Sequence, residues 1–233
     1  MELSKRLQAV ADLVSPGGTV ADVGTDHGYI PIYLIETGKS TKALAMDVNA
    51  GPLLRASEHI REHGLDEQIE TRQSDGVKKL QPGECDCVVI AGMGGGLAIK
   101  ILEEGETVFR SLKEMVLQPQ SEISKVRAYL NTHGYAIVAE DMVYEDGKFY
   151  PMMKVINGQA SAYTELELRY GKGLLENRNP VLKEFLTKEL KVKSSILQNI
   201  SMESGSHIEA RRRELEGELE EIKDALQRYY LCD

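Results

Sequence analysis

Two carboxylates and two glycines share the segment ADVGTDHGYIPIYL, residues 21–34: Asp22 and Asp26 flank Gly24, and Gly28 follows. Glycines at such spacing let a strand turn sharply into a helix and bring the backbone close to a ligand. The dinucleotide version of this turn, G-x-G-x-x-G, presents bare amides to a pyrophosphate. Here the register is Gly24-Thr25-Asp26-His27-Gly28. A carboxylate beside a doubly negative pyrophosphate costs about 1 kcal/mol or more even with water-like screening, which disfavours NAD and FAD. S-adenosylmethionine carries a sulfonium and an ammonium and no phosphate, so Asp22 and Asp26 favour it. Asp26 could also cap the helix that follows.

Further candidates fall at the ends of other apolar runs. ALAMDVN places Asp47, followed by Val48, nineteen residues after Gly28. An acid there can accept both hydroxyls of a ribose, a geometry common to NAD and S-adenosylmethionine sites. In QSDGVKKL, Asp75 could accept an adenine amine while Gly76 keeps the backbone near. VVIAGMGGG ends in Gly92, Met93 and Gly94 to Gly96. The Gly-Lys-Ser/Thr close of a phosphate loop is absent, and the glycines leave room for a planar substrate.

These residues need a scaffold that gathers strand ends. Runs at 19–24, 42–47, 68–72, 85–91 and 113–118 read as strands, separated by helical patterns near 28–36, 50–63, 94–103 and 121–131. That alternation predicts an α/β fold with a doubly wound parallel sheet. An amphipathic helix over 3–14, stopped by SPGG, precedes it. After Gly134, two long runs joined by EDGK predict a hairpin that closes the sheet with an antiparallel pair. Beyond Asn157 strand signals vanish. Asn179-Pro180 opens a helix carrying Leu182, Leu186, Leu190, Ile196, Leu197 and Ile200; after ESGS a second carries Ile208, Leu215, Leu219, Ile222 and Leu226. The expectation is a domain over 1–159 and a coiled-coil-like helical hairpin over 160–233.

Composition narrows the function classes. No apolar run approaches the roughly 18 residues of a membrane span, and MELSKRLQAVADLV lacks the core of a signal peptide, so a cytoplasmic protein is expected. Cys85, Cys87 and Cys232 are an odd count without a second ligand cluster and read as structural thiols. HIREH, residues 59–63, matches a zinc-protease pattern but shows no third ligand, so no metal is expected. The net charge of −9 argues against wholesale nucleic-acid affinity, though local basic patches remain. Residues 1–159 carry 16 Lys and Arg against 23 Asp and Glu, and residues 160–233 carry 12 against 14.

Taken together, SKRL, DVGTDHGYIP, DVN, the DG after the third strand, AGMGG, LQPQ and the helical tail resemble the bacterial tRNA (adenine-N1)-methyltransferases that modify adenine-22. The likeness covers nearly the whole chain and implies a Rossmann-like class I fold, S-adenosylmethionine as cofactor and tRNA as substrate. It also implies that Gly24, Asp26, His27, Gly28, Tyr29, Asp47, Asp75, Gly76, Gly92 and Met93 surround the cofactor. The Asp-Pro-Pro-Tyr-type motif of many amino-group methyltransferases is absent, which fits a ring-nitrogen target.

Adenine N1 has an available lone pair, so the transfer requires no obligatory general base. Asp26 is the first candidate to support the migrating positive charge and Tyr29 the second, by stacking on or hydrogen-bonding the base. Lys188, Lys191 and Lys193, then Arg211, Arg212 and Arg213, and finally Lys5 and Arg6, form three basic clusters suited to phosphate contact. The alternative is a nucleotide- or S-adenosylmethionine-binding module without catalysis that recruits a partner through the hairpin. Whether the hairpin binds RNA or dimerises is left open by the residues.

Overall fold

The computed structural model describes residues 1–159, 161–200 and 206–231, in two compact units, Met1–Tyr163 and Thr164–Asp233. In the first unit, α1 (Lys5–Leu13) leads into β1 (Gly18–Val23), α2 (Tyr29–Glu36), β2 (Ser40–Asp47), α3 (Ala50–Glu62) and β3 (Ile69–Gln73). Then follow β4 (Cys87–Ala91), α4 (Gly95–Glu104), α5 (Glu106–Ser111), β5 (Glu114–Gln118), α6 (Ile123–Thr132), β6 (Tyr135–Glu145) and β7 (Lys148–Asn157). The seven strands form one sheet in the order β3-β2-β1-β4-β5-β7-β6. β3 to β5 are parallel, and β7 and β6 join antiparallel. This is the Rossmann-like class I methyltransferase architecture.

Both faces of the parallel strands are covered, which is why they read as continuous apolar runs instead of alternating ones. Val20, Val89 and Val116 pack beneath Val10 and Val14 of the α1 segment and Ile30 and Leu34 of α2. Their neighbours Ala21, Val88 and Leu117 face Leu102, Phe109 and Leu130 of α4, α5 and α6. The chain leaves β1 for β2 on one side and later returns to β4 on the other, so a crevice opens at the carboxyl ends of β1 and β4.

Local chemistry explains the punctuation. Ser4 caps α1 through a hydrogen bond from the Leu7 amide. Asp146 and Gly147, with φ of 48° and 81°, form the two-residue turn between Glu145 and Lys148. Two positive φ values match the twist of the flanking strands. The register slips between Ile137 and Ala139, and the extra residue, Val138, is exposed. Arg127 of α6 and Glu140 of β6 form an ion pair at 2.8 Å with both side chains almost wholly buried.

The second unit contains α7 (Glu165–Tyr170), α8 (Lys172–Glu176), α9 (Pro180–Ile200) and α10 (Ser206–Leu226), followed by a π-helical turn, Gln227–Leu231. Thr164 and Glu167 make a capping box on α7, and Asn179 Oδ1 accepts the Val181 and Leu182 amides at the start of α9. Lys193 pairs with Glu218, and the Tyr230 hydroxyl donates to the Asn179 carbonyl, so α9 and α10 run antiparallel. Leu182 and Leu186 are buried, as are Leu215, Leu219 and Ile222, whereas Ile196 is exposed. The ESG of the expected turn and Cys232 lie outside the described residues. The short helices α5, α7 and α8 escape periodicity because each is six residues or fewer.

Replacing Arg127 with methionine leaves the Glu140 carboxylate buried without its ion-pair partner. The expected loss is about 3–5 kcal/mol in urea unfolding. A loss under about 1 kcal/mol would show that water reaches this pair.

Candidate functional site

A cavity of about 320 Å³ occupies the crevice, lined by Asp22, Gly24, Asp26, His27, Tyr29, Gly92, Arg6 and Gln120 among others. Its floor is the end of β1. The Gly24 and Thr25 amides both donate to the Met46 carbonyl at 2.8 Å, which ties the turn to β2. Gly24 has φ of 82°, and a Cβ there would lie 2.2 Å from the Met93 Cε. This position is therefore glycine for two reasons, the backbone angle and the methionine across it. His27 holds a left-handed φ of 63°, uncommon for a side-chain-bearing residue. Gly28 caps α2 with no side-chain hydrogen bond, which corrects the expectation that Asp26 could serve as that cap.

Three carboxylates surround this turn. Asp22 is buried; desolvation pushes its carboxyl up to about 6, with Thr25 opposing and the charge of Asp47 adding to the rise. Asp26 is exposed and takes Arg55 Nη2 at 2.7 Å, with His27 Nε2 at 3.5 Å. Asp47 Oδ1 accepts the Asn49 amide at 2.7 Å. His27 Nδ1 is buried without a hydrogen-bond partner among the described residues. His27 lines the cavity, where such an atom awaits a polar ligand or water. One buried acid, two more acids around the turn and an unpartnered ring nitrogen fit a cation-bearing nucleoside such as S-adenosylmethionine.

The rings of His27, Tyr29 and His59 lie near-parallel with centroids 5.1–5.7 Å apart. His59 Nδ1–H donates to the His27 carbonyl at 3.0 Å, supporting the strained residue from α3. His63 Nδ1 meets Glu36 at 2.6 Å, so the HIREH histidines have separate partners. Among the described residues no group of three or more His, Cys, Asp or Glu could hold a metal. Cys85 and Cys87 are buried, and burial raises both thiols.

Several expected site residues are placed differently. Asp75 is exposed and ion-paired with Lys78, which draws its carboxyl below the usual range. Gly76, with φ of 57°, packs under Ile101, where a Cβ would approach to 3.1 Å. Its glycine thus answers to packing, and the adenine-amine role for Asp75 requires Lys78 to yield. Val48 is exposed beside Asp47. Of the glycine run only Gly92 lines the cavity; a Cβ on Gly95 would lie 2.5 Å from the Ser121 carbonyl. The run therefore seats α4 against the 121–122 loop and does not widen a substrate slot.

The basic clusters also separate. Arg6 projects into the cavity, donating to Gln118 Oε1 at 3.1 Å and lying over the Tyr150 ring. Lys5 is exposed, with its backbone amide on Glu145. Lys193 is matched by Glu189 and Glu218, and Arg211 by Glu214. Lys188, Lys191 and Arg213 are exposed, and Arg212 is half-buried. With Lys193 opposite Glu218, the arginine run faces α9 about two turns further along. Sequence reasoning missed Arg55, His59, Gln118 and Gln120 as parts of the site. LQPQ carried the last two as a resemblance without chemistry.

Asp22 makes stability depend on pH. Its folded value near 6 lies above the ordinary 3.8, so the folded chain holds the proton more tightly and stability falls as pH rises from about 4 through 6. At about 1.4 kcal/mol per pH unit this interval gives roughly 3 kcal/mol. Asp22→Asn should therefore raise the unfolding free energy at pH 7 by up to about that amount and flatten its slope between pH 4 and 6. An unchanged slope would place the titration elsewhere.

The family model for tRNA (adenine(22)-N(1))-methyltransferase matches residues 20–224. A Bacillus subtilis protein described as tRNA (adenine(22)-N(1))-methyltransferase is 33% identical over 97% of this chain and 98% of its own length. A Streptococcus pneumoniae structure in complex with S-adenosyl-L-methionine is 34% identical, with a TM-score of 0.86 over 97% of this chain and 100% of that one. M. capricolum TrmK in complex with S-adenosyl-homocysteine is 27% identical, with a TM-score of 0.83 over 97% of this chain and 99% of that one. With the acidic turn, the strand-four glycine and the seven-stranded sheet in place, this chain belongs to the tRNA (adenine(22)-N(1))-methyltransferase family.

Proposed function

We infer that the chain transfers the methyl group of S-adenosylmethionine to N1 of adenine-22 in tRNA. The observation that carries this reading is the acidic crevice: Asp22 and Asp26 line the cavity and Asp47 stands at the neighbouring strand end. Bound there, S-adenosylmethionine supplies a methyl group made electrophilic by its sulfonium. Asp47 would hold the ribose hydroxyls with Val48 alongside, and the turn from Gly24 to Gly28 would lie under the methionine portion. Gly92 and Met93 would border it. Arg6, the cation in a cavity lined by two acids, is suited to the cofactor's carboxylate, a role distinct from the RNA contact expected of it.

The chain's own residues need move no proton in the transfer itself. Charge passes from sulfur to the adenine ring, and the lone pair on N1 forms the new bond. Asp26 would stabilise the cationic ring as it develops, with Arg55 holding the carboxylate in place. Tyr29 would flank the base, supported by His27 and His59. The target adenine must first leave its stack, at a cost of a few kcal/mol, so the enzyme must grip tRNA beyond the base. The helices of residues 164–233 would supply that grip through exposed Lys188, Lys191 and Arg213, with Lys5 near the crevice.

Incubating unmodified tRNA transcripts with labelled S-adenosylmethionine and mapping the modified nucleoside tests the reaction; 1-methyladenosine at position 22 is expected, and label elsewhere would refute it. Asp26→Asn should lower the single-turnover rate more than it weakens cofactor binding, because charge support belongs to the transition state. Equal losses would make Asp26 a binding residue only. Changing Lys188, Lys191 and Arg213 to alanine should weaken tRNA binding at low salt and flatten its salt dependence by about one log–log unit or less per lost contact. An unchanged slope would remove these helices from the RNA surface.

A further inference from the structure

Gln120 follows β5 in the Gln118-Pro119-Gln120 segment, and its side chain lines the cavity across from the acidic turn. The segment is pinned from three directions. The Gly92 amide donates to the Gln118 carbonyl at 3.1 Å and to its Oε1 at 3.2 Å, the Gln120 amide donates to the Met93 carbonyl at 2.8 Å, and Arg6 donates to Gln118 Oε1. Gln118 is thus consumed as a fully buried strut. Gln120 is displayed: its carboxamide has no hydrogen-bond partner among the described residues, and Nε2 stands 3.8 Å from where a Cβ on Gly92 would be. Its backbone is fixed while its side-chain donor and acceptor are left available, an arrangement suited to recognising a ligand edge.

The crevice must admit one base and distinguish it from the others. Adenine presents an amine donor at N6 and an acceptor at N7 on the edge away from the sugar, and a glutamine carboxamide matches that pair. Read along this edge, the base keeps the N1 lone pair free for the methyl group. We propose that Gln120 is the specificity-determining residue for adenine, its Oε1 accepting from N6–H and its Nε2–H donating to N7. The acceptor half has a second effect. Methylation at N1 spreads positive charge onto N6, so the hydrogen bond to Oε1 strengthens as the methyl group passes from sulfur to nitrogen. No proton leaves in that step. The assignment rests on the adenine-22 reading and names how that base is chosen.

The test compares tRNA transcripts carrying adenine, 7-deazaadenine or purine at position 22, with wild type, Gln120→Ala, Gln120→Glu and the near-isosteric Gln120→Met. Intrinsic differences in N1 reactivity are common to all four proteins and cancel when analogue ratios are compared with wild type. Gln120→Ala and Gln120→Met should lose about 10- to 100-fold in kcat/KM on adenine-22, and their preference for adenine over both analogues should shrink by a similar factor. Gln120→Glu keeps the acceptor and loses the donor, so it should retain discrimination against purine and lose it against 7-deazaadenine. S-adenosylmethionine affinity within about twofold of wild type, by calorimetry, confirms an intact crevice. Wild-type analogue ratios in both the alanine and methionine variants would overturn the assignment. Failure of the wild-type protein to methylate adenine-22 would instead fall on the function reading, before any variant is compared.

Discussion

Asp22 lies on β1, the middle of the five parallel strands, between β2 and β4, where burial holds its carboxyl near 6. Placing an acid there sets the sign of the crevice. The doubly wound fold ordinarily uses this strand end and the following helix N-terminus to attract phosphate. With Asp22, Asp26 and Asp47 around the same turn, phosphate is repelled and a nucleoside bearing positive charge is favoured. The cost of the buried acid is returned when a cation arrives, so ligand binding and the protonation of Asp22 are linked.

The opposite wall answers this charge with neutral amides and one guanidinium. Arg6, Gln118 and Gly92 are joined by hydrogen bonds, so α1, the end of β5 and the turn after β4 form one support. Opposite them, Asp26 is steadied by Arg55, and the rings of His27, Tyr29 and His59 gather at the mouth. In the reading proposed above, charge selects the cofactor, while rings and amides are left for the base. That division suits a reaction in which positioning and electrostatics supply the rate and no base is obligatory.

Much of this was legible in the sequence because two signals coincided there. The alternation of apolar strands with helical periods gave the order of elements, and DVGTDHG placed acids where a strand end must meet a ligand. The Asp-Gly hairpin was equally plain, since positive φ at both turn residues demands such types. What was not legible required distance. Arg6 looked like half of a basic pair, and only folding α1 over the sheet brings its guanidinium to the crevice. The glycines of AGMGGG looked like open space, yet Gly95 is pressed against Ser121. Lys193 and Arg211 looked cationic, but glutamates on their own helices or the facing one neutralise them, a pairing that needs the register of α9 on α10. His59 and Arg55 lie one turn apart on α3, and nothing in their spacing reveals that both reach back to the turn after β1.

Ligand charge tests the central claim directly. In side-by-side calorimetric titrations at pH 7, S-adenosylmethionine and S-adenosylhomocysteine should each bind with a one-to-one stoichiometry, and NAD should give no measurable heat at concentrations that saturate them. NAD binding with an affinity equal to that of S-adenosylmethionine would contradict the account, because an acidic turn that tolerates a pyrophosphate cannot be what selects the cofactor.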